Sequence, residues 1–310
     1  MSSCLLGQKV RFDGGHKKDS FLVHELGRYV EWVTVCPEIE VGMGVPREAV
    51  RLVRTKEDPG PRMVGRRSGE DWTERMFRYA ETRVRALEKL ELSGYILKGK
   101  SPSCGMERVK VYTPEGMPEK SGRGLFADVL MRHFPWLPVE EEGRLNDSTL
   151  REDFIERVFA YHRWLLLSKA RYSVGRLVEF HRRHKFLFLA HSEKHMRELG
   201  RIVAAAKAKP KKEVLASYGA AFFAGLEVNT TAKKHVNVLQ HIAGFLKDKL
   251  DAADRAELAE AVESYRRGLV PRLVPQTLIL HHLRRAQVPY MDDQYYLSPH
   301  PKELVLKYHS

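Results

Sequence analysis

The spacing of apolar and polar positions changes near residue 150. Before that point, short apolar runs typical of strands alternate with stretches of helical spacing. We expect strands at 1–6, 30–35, 49–54, 95–97 and 109–112, and helices at 21–29, 71–92 and 122–134. This alternation predicts an α/β domain with a mostly parallel sheet over residues 1–145.

From residue 146 to 310, the pattern predicts an all-α domain. Phe154, Val158, Tyr161 and Leu165 fall on one helix face. Further helices are expected at 172–189, 196–208, 214–226, 235–250, 254–269 and 277–286. We interpret 135–146, with two prolines and an acidic run, as the linker between the domains, and 207–212 as a basic hinge broken by proline.

The three cysteines of the chain occupy similar positions. Cys4, Cys36 and Cys104 each follow an apolar run and precede a turn that contains glycine or proline. Because the ends of neighbouring strands meet at one edge of a sheet, we expect the three thiols to converge on one site. Three thiolates leave one position open to substrate, as in catalytic zinc sites or in a cubane iron–sulfur cluster that lacks its fourth thiolate. The spacing does not name the metal, and three unrelated buried cysteines are the plain alternative.

Acid–base and hydrogen-bonding side chains lie close to these cysteines in sequence. Glu38 follows Cys36, Ser101 and Ser103 precede Cys104, and Asp13 lies in the loop after Cys4. A carboxylate can act as a general base, and serine hydroxyls can orient a substrate. These residues are the candidate catalytic groups, although serine and aspartate are also ordinary turn residues and Glu40 is as good a candidate as Glu38.

The positive charge lies mainly in the second half. Residues 1–150 contain 25 Lys and Arg and 23 Asp and Glu, which leaves a balance of +11 after residue 150 out of +13 for the chain. Such asymmetry is typical of a half that binds a polyanion, and basic side chains among aromatics are typical of nucleic-acid surfaces. The candidate nucleic-acid-binding residues are Arg163, Arg171, Arg182, Arg183, Lys185, Lys211 and Lys212.

Histidines at 181, 184, 191 and 195 have helical spacing but lack the acidic partners of a known helical metal motif.

No apolar run approaches the ~20 residues of a membrane span, and the N-terminus does not have the pattern of a signal peptide. We therefore expect a cytoplasmic protein with reduced thiols and no membrane partner.

Three motifs resemble those of the thiouracil desulfidase family. They are Ser3–Gly15, Cys36-Pro37-Glu38 with Gly44–Arg47, and Lys100–Gly105, and the match covers roughly residues 1–145. The resemblance implies a [4Fe-4S] cluster held by Cys4, Cys36 and Cys104, with a fourth iron that takes up the sulfur of a thiolated pyrimidine. It also maps the family's glutamate onto Glu38 and its two serines onto Ser101 and Ser103.

The second half resembles the helical domain often fused to that module, through Tyr161–Trp164 and Phe180–Ser192. The fused forms are similar to RNA desulfidases, which implies non-redox hydrolysis of thiolated uridine, 4-thiouridine in tRNA above all, to uridine and hydrosulfide. Two alternatives stay open: a desulfidase for free thiouracil-type bases, and an iron–sulfur regulator that binds nucleic acid.

Overall fold

The computed structural model describes residues 1–55, 60–113 and 116–301, and the chain divides into two compact units. The first unit comprises Met1–Phe154 and the second begins at Ile155. The first is α/β and the second is helical, so the predicted fold class is confirmed.

The strands of the first unit form two sheets. They are β1 (Val50–Val53), β2 (Arg62–Gly65), β3 (Tyr95–Leu97), β4 (Val109–Tyr112), β5 (Pro118–Gly122) and β6 (Val139–Glu141). The larger sheet has the order β2-β1-β4-β5, and only its central pair, β1 with β4, is parallel. The sheet is therefore mixed. The sequence pattern missed β5 because this strand is exposed and polar, without the apolar alternation that marks a strand.

The smaller sheet positions the cysteines. Strand β3 is fully buried and pairs in parallel with β6. On its other side Ser2 N donates to Ile96 O at 3.0 Å, and Ser3 N donates to Val35 O at 3.0 Å. The segments around Val35, Ser2, β3 and β6 thus lie side by side.

Two sequence expectations fail in this region. The strands predicted at 1–6 and 30–35 reduce to an isolated parallel bridge between Ser2 and Val35, because a 3-10 helix (Ser3–Leu6) follows at once. The predicted linker at 135–146 instead contains β6. Its buried central residue is Glu140, paired with Arg144, and this polar residue hid the strand from the apolar pattern.

The helices of the first unit cover the sheets. They are α1 (Pro37–Glu40), α2 (Thr73–Glu88) and α3 (Leu125–His133). The buried face of α2 carries Met76, Ala80, Val84 and Leu87, at the helical spacing seen in the sequence. The expected helix at 21–29 is a π-helical turn (Phe21–Glu25) followed by a 3-10 turn (Leu26–Arg28).

The second unit consists of helices around two apolar clusters. The helices are α4 (Ser148–Lys169, which begins in the first unit), α5 (Val174–His191), α6 (Glu193–Ala205), α7 (Lys211–Leu226), α8 (Ala232–Gly244), α9 (Ala252–Arg266) and α10 (Leu273–Ala286). One cluster surrounds Trp164 and Phe222, and the other surrounds Leu239 and Ile279. Within the described residues, no helix is both long enough and apolar enough to cross a bilayer.

Candidate active site

The three cysteines line one cavity of about 350 Å³ in the first unit. Cys4 lies in the 3-10 helix after Ser2, Cys36 directly follows Val35 and precedes α1, and Cys104 lies in the turn after β3. Because the three preceding segments lie side by side, their ends bring the thiols to one edge. The same cavity is lined by Glu38, Ser101, Ser103 and Arg47.

Glu38 is held on both of its carboxylate oxygens. Arg47 donates from Nε to Oε2 at 3.1 Å and also from a terminal nitrogen. Ser103 Oγ donates to the other oxygen, Oε1, at 2.7 Å, and Ser101 Oγ lies 3.5 Å from it. Oε1 therefore faces the serines, while Oε2 is occupied by the guanidinium.

The serines also shape the turn that carries Cys104. Ser101 Oγ accepts hydrogen bonds from the backbone N–H of Ser103 at 3.3 Å and of Cys104 at 3.2 Å. The two hydroxyl oxygens are 3.0 Å apart, and Ser103 Oγ lies 3.7 Å from the Cys104 sulfur. One short turn therefore places a thiol and two hydroxyls beside Glu38.

Burial keeps the thiols of the metal-free protein protonated. Desolvation raises the pKa of Cys4 to about 11 and, with the nearby Glu38 carboxylate, that of Cys104 to about 12. The pKa of Cys36 is also raised, chiefly by burial. Since metals bind the thiolate, loading this site must release protons and supply positive charge in their place.

Two other carboxylates near the cysteines in sequence do not line the cavity. Asp13 is about half exposed, lies 3.4 Å from Arg11 and accepts the backbone N–H of Gly15 at 3.0 Å. Glu40 accepts the backbone N–H of Cys36 at 3.1 Å and the hydroxyl of Tyr79 at 2.8 Å. Glu40 thus supports the start of α1, whereas Glu38 alone of the three reaches the cavity.

Sequence reasoning missed the residues that brace the site. Glu141 accepts the backbone N–H of Met106 at 2.7 Å, and Glu142 accepts that of Gly99 at 2.7 Å and pairs with Lys98. These carboxylates hold the two ends of the turn that contains Cys104. The acidic run at 140–142 was interpreted as part of the linker between the domains. The pairing of β6 with β3 places these carboxylates beside the turn.

The histidines of the second unit have protein partners. His191 Nε2 lies 2.9 Å from Glu156 in the buried interior, and its Nδ1 lies 2.8 Å from Val228 O. His184 Nδ1 lies 2.7 Å from Phe180 O. Across residues 1–55, 60–113 and 116–301, no three His, Cys, Asp or Glu side chains are arranged to hold a metal ion.

Three of the candidate nucleic-acid-binding arginines contact the protein's own C-terminal segment. Arg163 donates to Pro299 O at 2.8 Å and lies 3.9 Å from the Tyr295 ring centre, and burial lowers its pKa to about 10. Arg182 and Arg183 both pair with Asp293. These three side chains therefore fasten residues 293–299 to α4 and α5.

The remaining candidates of this set are exposed. They are Arg171, Lys185, Lys211 and Lys212. Their positive ends are accessible to an external polyanion.

Comparisons with known proteins fall on the two units separately. Residues 1–142 match the family model described as 2-thiouracil desulfurase, and residues 185–301 match that described as a protein of unknown function (DUF1722). The chain is 31% identical over 166 residues to the uncharacterized protein YbgA of Escherichia coli (strain K12), covering 53% of this chain and 95% of YbgA.

It is 33% identical over 150 residues to the uncharacterized protein YbbK of Bacillus subtilis (strain 168), covering 47% of this chain and 97% of YbbK. Among solved structures, the [4Fe-4S]-dependent thiouracil desulfidase TudS is 32% identical, with 49% of this chain and 94% of that chain covered and a TM-score of 0.39.

Proposed function

We propose that this chain hydrolyses the C=S bond of a thiolated uridine. The chain belongs to the 2-thiouracil desulfurase family through residues 1–142 and to the DUF1722 family through residues 185–301. The preferred substrate is 4-thiouridine in tRNA. Water and the thiocarbonyl give a carbonyl and hydrosulfide, so no electrons are gained or lost. The observation that carries the proposal is one cavity that contains three thiols together with the Glu38–Ser103 hydrogen bond.

The donor set fits a [4Fe-4S] cluster held by Cys4, Cys36 and Cys104. All three thiols border one cavity. Thiolates are the ligands of iron–sulfur clusters, and three of them leave one iron of a cubane without a protein ligand. When bound, such a cluster would supply an iron without a thiolate ligand that acts as a Lewis acid on the thiocarbonyl.

Glu38 is the general base of this proposal. Its Oε1 is oriented by Ser103, and a water beside it can lose a proton to this oxygen as it attacks the ring carbon. Because Arg47 occupies Oε2, the proton goes to the oxygen that faces the serines. Ser101 and Ser103 have hydroxyls to donate to the ring carbonyl or to the departing sulfur.

The positive charge of the second unit favours an RNA substrate over a free base. Its balance of +11 favours a polyanion, and the exposed Arg171, Lys185, Lys211 and Lys212 are accessible to phosphates. A cytoplasmic location fits both the reduced thiols and this substrate.

The experiment compares 4-thiouridine-containing tRNA with free 4-thiouracil and 2-thiouracil, using anaerobically reconstituted protein. We expect conversion of the tRNA nucleoside to uridine with release of hydrosulfide, and a higher kcat/KM for tRNA than for either base. Efficient turnover of the free bases alone would make the protein a small-molecule desulfidase. No turnover of any thiolated pyrimidine would contradict the proposal.

A further inference from the structure

Most of the net charge of the chain comes from one short segment. Residues 169–212 contain thirteen Lys and Arg and three Asp and Glu, a balance of +10, compared with +13 for the whole chain. This segment runs from the end of α4 through α5 and α6 to the start of α7. A polyanion that approaches the second unit is therefore attracted to this segment first.

Internal ion pairs neutralise part of this segment. Arg182 pairs with Glu179 and Asp293, and Arg183 pairs with Asp293. On α6 and the following turn, Arg197 pairs with Glu193 and Lys209 with Glu213. These cations are compensated within the protein.

Among the described residues, five exposed cations without an ion pair follow one another on α6, in the turn after it and in the first turn of α7, whereas the other exposed and unpaired cations of the segment, Arg171, Arg176 and Lys185, lie just before α5 or on it. Lys194, Arg201, Lys207, Lys211 and Lys212 are exposed, and none forms an ion pair within the described ranges. We call these five residues the α6 surface.

The buried side of α6 packs on the apolar core, so the α6 surface faces away from that core. Leu199 is fully buried, and Met196, Ile202 and Val203 pack against the same apolar cluster. Lys194 and Arg201 are seven residues apart, so they lie on one face about 10 Å from each other at ~1.5 Å per residue. Lys207 in the turn after α6, with Lys211 and Lys212 in the first turn of α7, continues the positive charge beyond the end of α6.

We propose that the α6 surface binds the sugar–phosphate backbone of the RNA that carries the thiolated base. This inference rests on the proposed function for the identity of the nucleic acid. Lysine and arginine side chains without counter-charges match a row of phosphates, and such contacts position a nucleic acid without reading its sequence.

The test measures binding of unmodified tRNA to the full-length protein over a range of salt concentrations. The variant K194Q/R201Q/K207Q/K212Q removes four charges from the α6 surface. The control variant K233Q/K247Q/R284Q/R285Q removes four exposed charges from α8, the turn after α8 and α10, and has the same net charge. Lys211 is kept in both because it contacts the Tyr172 ring at 5.8 Å.

We expect the α6 variant to bind tRNA roughly 10-fold or more weakly at physiological salt. Its plot of log affinity against log salt should be less steep by about 3, because each lost phosphate contact lowers the slope by ~0.7–0.9. The control variant should keep the wild-type slope. Equal losses in both variants, or an unchanged slope in the α6 variant, would overturn the inference.

Two further measurements distinguish a failure of the inference about the α6 surface from a failure of the proposed function. Binding to phosphatidylserine vesicles but not to tRNA would assign the α6 surface to a membrane and overturn the inference. Because the tRNA is unmodified, its binding does not depend on desulfuration. If the α6 variant shows the predicted loss in the salt dependence of tRNA binding but the protein desulfurates no substrate, the inference about the α6 surface stands and the proposed function fails.

Discussion

The guanidinium of Arg47 occupies Glu38 Oε2, and Ser103 Oγ donates to Glu38 Oε1 at 2.7 Å. Arg47 also donates to Val10 O at 3.1 Å and Gly44 O at 3.0 Å. One side chain therefore joins the loops that follow Cys4 and Cys36 to the candidate base. Arginine suits this role because its planar fork makes several directed hydrogen bonds, which lysine cannot reproduce.

Replacing Arg47 by lysine should lower kcat by roughly 100-fold, the scale of loss expected when a catalytic group moves by about 1 Å. The positive charge stays, so the loss reports lost orientation of Glu38. The measurement is turnover with iron content determined on the same sample. R67Q, which removes an exposed arginine outside the cavity, should behave as wild type.

A double-mutant cycle distinguishes positioning from a general effect on folding. If Arg47 acts through Glu38, R47K should cost little further activity in an E38Q protein. Equal losses in both backgrounds would mean that Arg47 supports the fold rather than the base.

Replacing Glu38 by glutamine should reduce turnover by ~10²–10⁴-fold, as removal of a general base does. The amide preserves the size of the side chain, so iron content should stay at the wild-type level. D13N is the matched control, because Asp13 does not line the cavity and its loss should leave the rate nearly unchanged. A near-normal rate for E38Q with intact iron would remove Glu38 from the mechanism.

Alanine at Cys4, Cys36 or Cys104 should abolish stable iron binding. The anaerobically purified wild-type protein should contain about four iron and four sulfide per chain, the content of one [4Fe-4S] cluster. Iron and acid-labile sulfide analysis checks both statements. Zinc in place of iron, or full iron content in C104A, would contradict the assignment.

The second unit should lose stability at acidic pH through Glu156. Burial alone would raise the pKa of this carboxyl, but the hydrogen bond with His191 and the nearby Arg272 charge hold it below its usual value. A lowered folded-state pKa stabilises the fold above the unfolded-state value near 4.5, and this contribution disappears as pH falls through the folded-state pKa.

E156Q should therefore destabilise the protein at neutral pH by about 3–5 kcal/mol, the cost of breaking a buried pair. Urea unfolding near pH 7 and near pH 4 measures the effect, and the difference from wild type should shrink at the lower pH. E193Q, which breaks the exposed pair with Arg197, should unfold like wild type at both. A pH-independent difference for E156Q would rule out the carboxyl as the source.

The sequence predicted much of the fold because most elements have clear periodicity. Strands β3 and β4 have the predicted limits, and the helices of the second unit follow their apolar spacing. Three strands were missed. Strand β2 lies in a stretch rich in glycine, proline and arginine, β5 is exposed and polar, and β6 contains a buried glutamate paired with Arg144. The apolar pattern within a segment cannot reveal a strand that is recognised only by its hydrogen bonds to a neighbouring strand.

The candidate site was predictable in part for a related reason. The cysteines, Glu38 and the serines lie within a few residues of one another in three short motifs, so proximity in sequence revealed them. Arg47 lies in one of these motifs, but the sequence did not show that its guanidinium binds Glu38. Glu141 and Glu142 are more than 30 residues away from Met106 and Gly99, and the pairing of β6 with β3 brings them to the turn that contains Cys104. Likewise, the sequence did not distinguish exposed cations from Arg163, Arg182 and Arg183, because their partners lie more than 100 residues away.

The central claim is that this cavity hydrolyses a thiocarbonyl. The most direct measurement incubates reconstituted protein with 4-thiouridine-containing tRNA in water labelled with the heavy oxygen isotope, without an electron donor, and analyses the nucleosides by mass spectrometry. We predict uridine that carries one heavy oxygen, with one equivalent of hydrosulfide released. Unconverted 4-thiouridine, uridine without the label, or conversion only when an electron donor is added would contradict the claim.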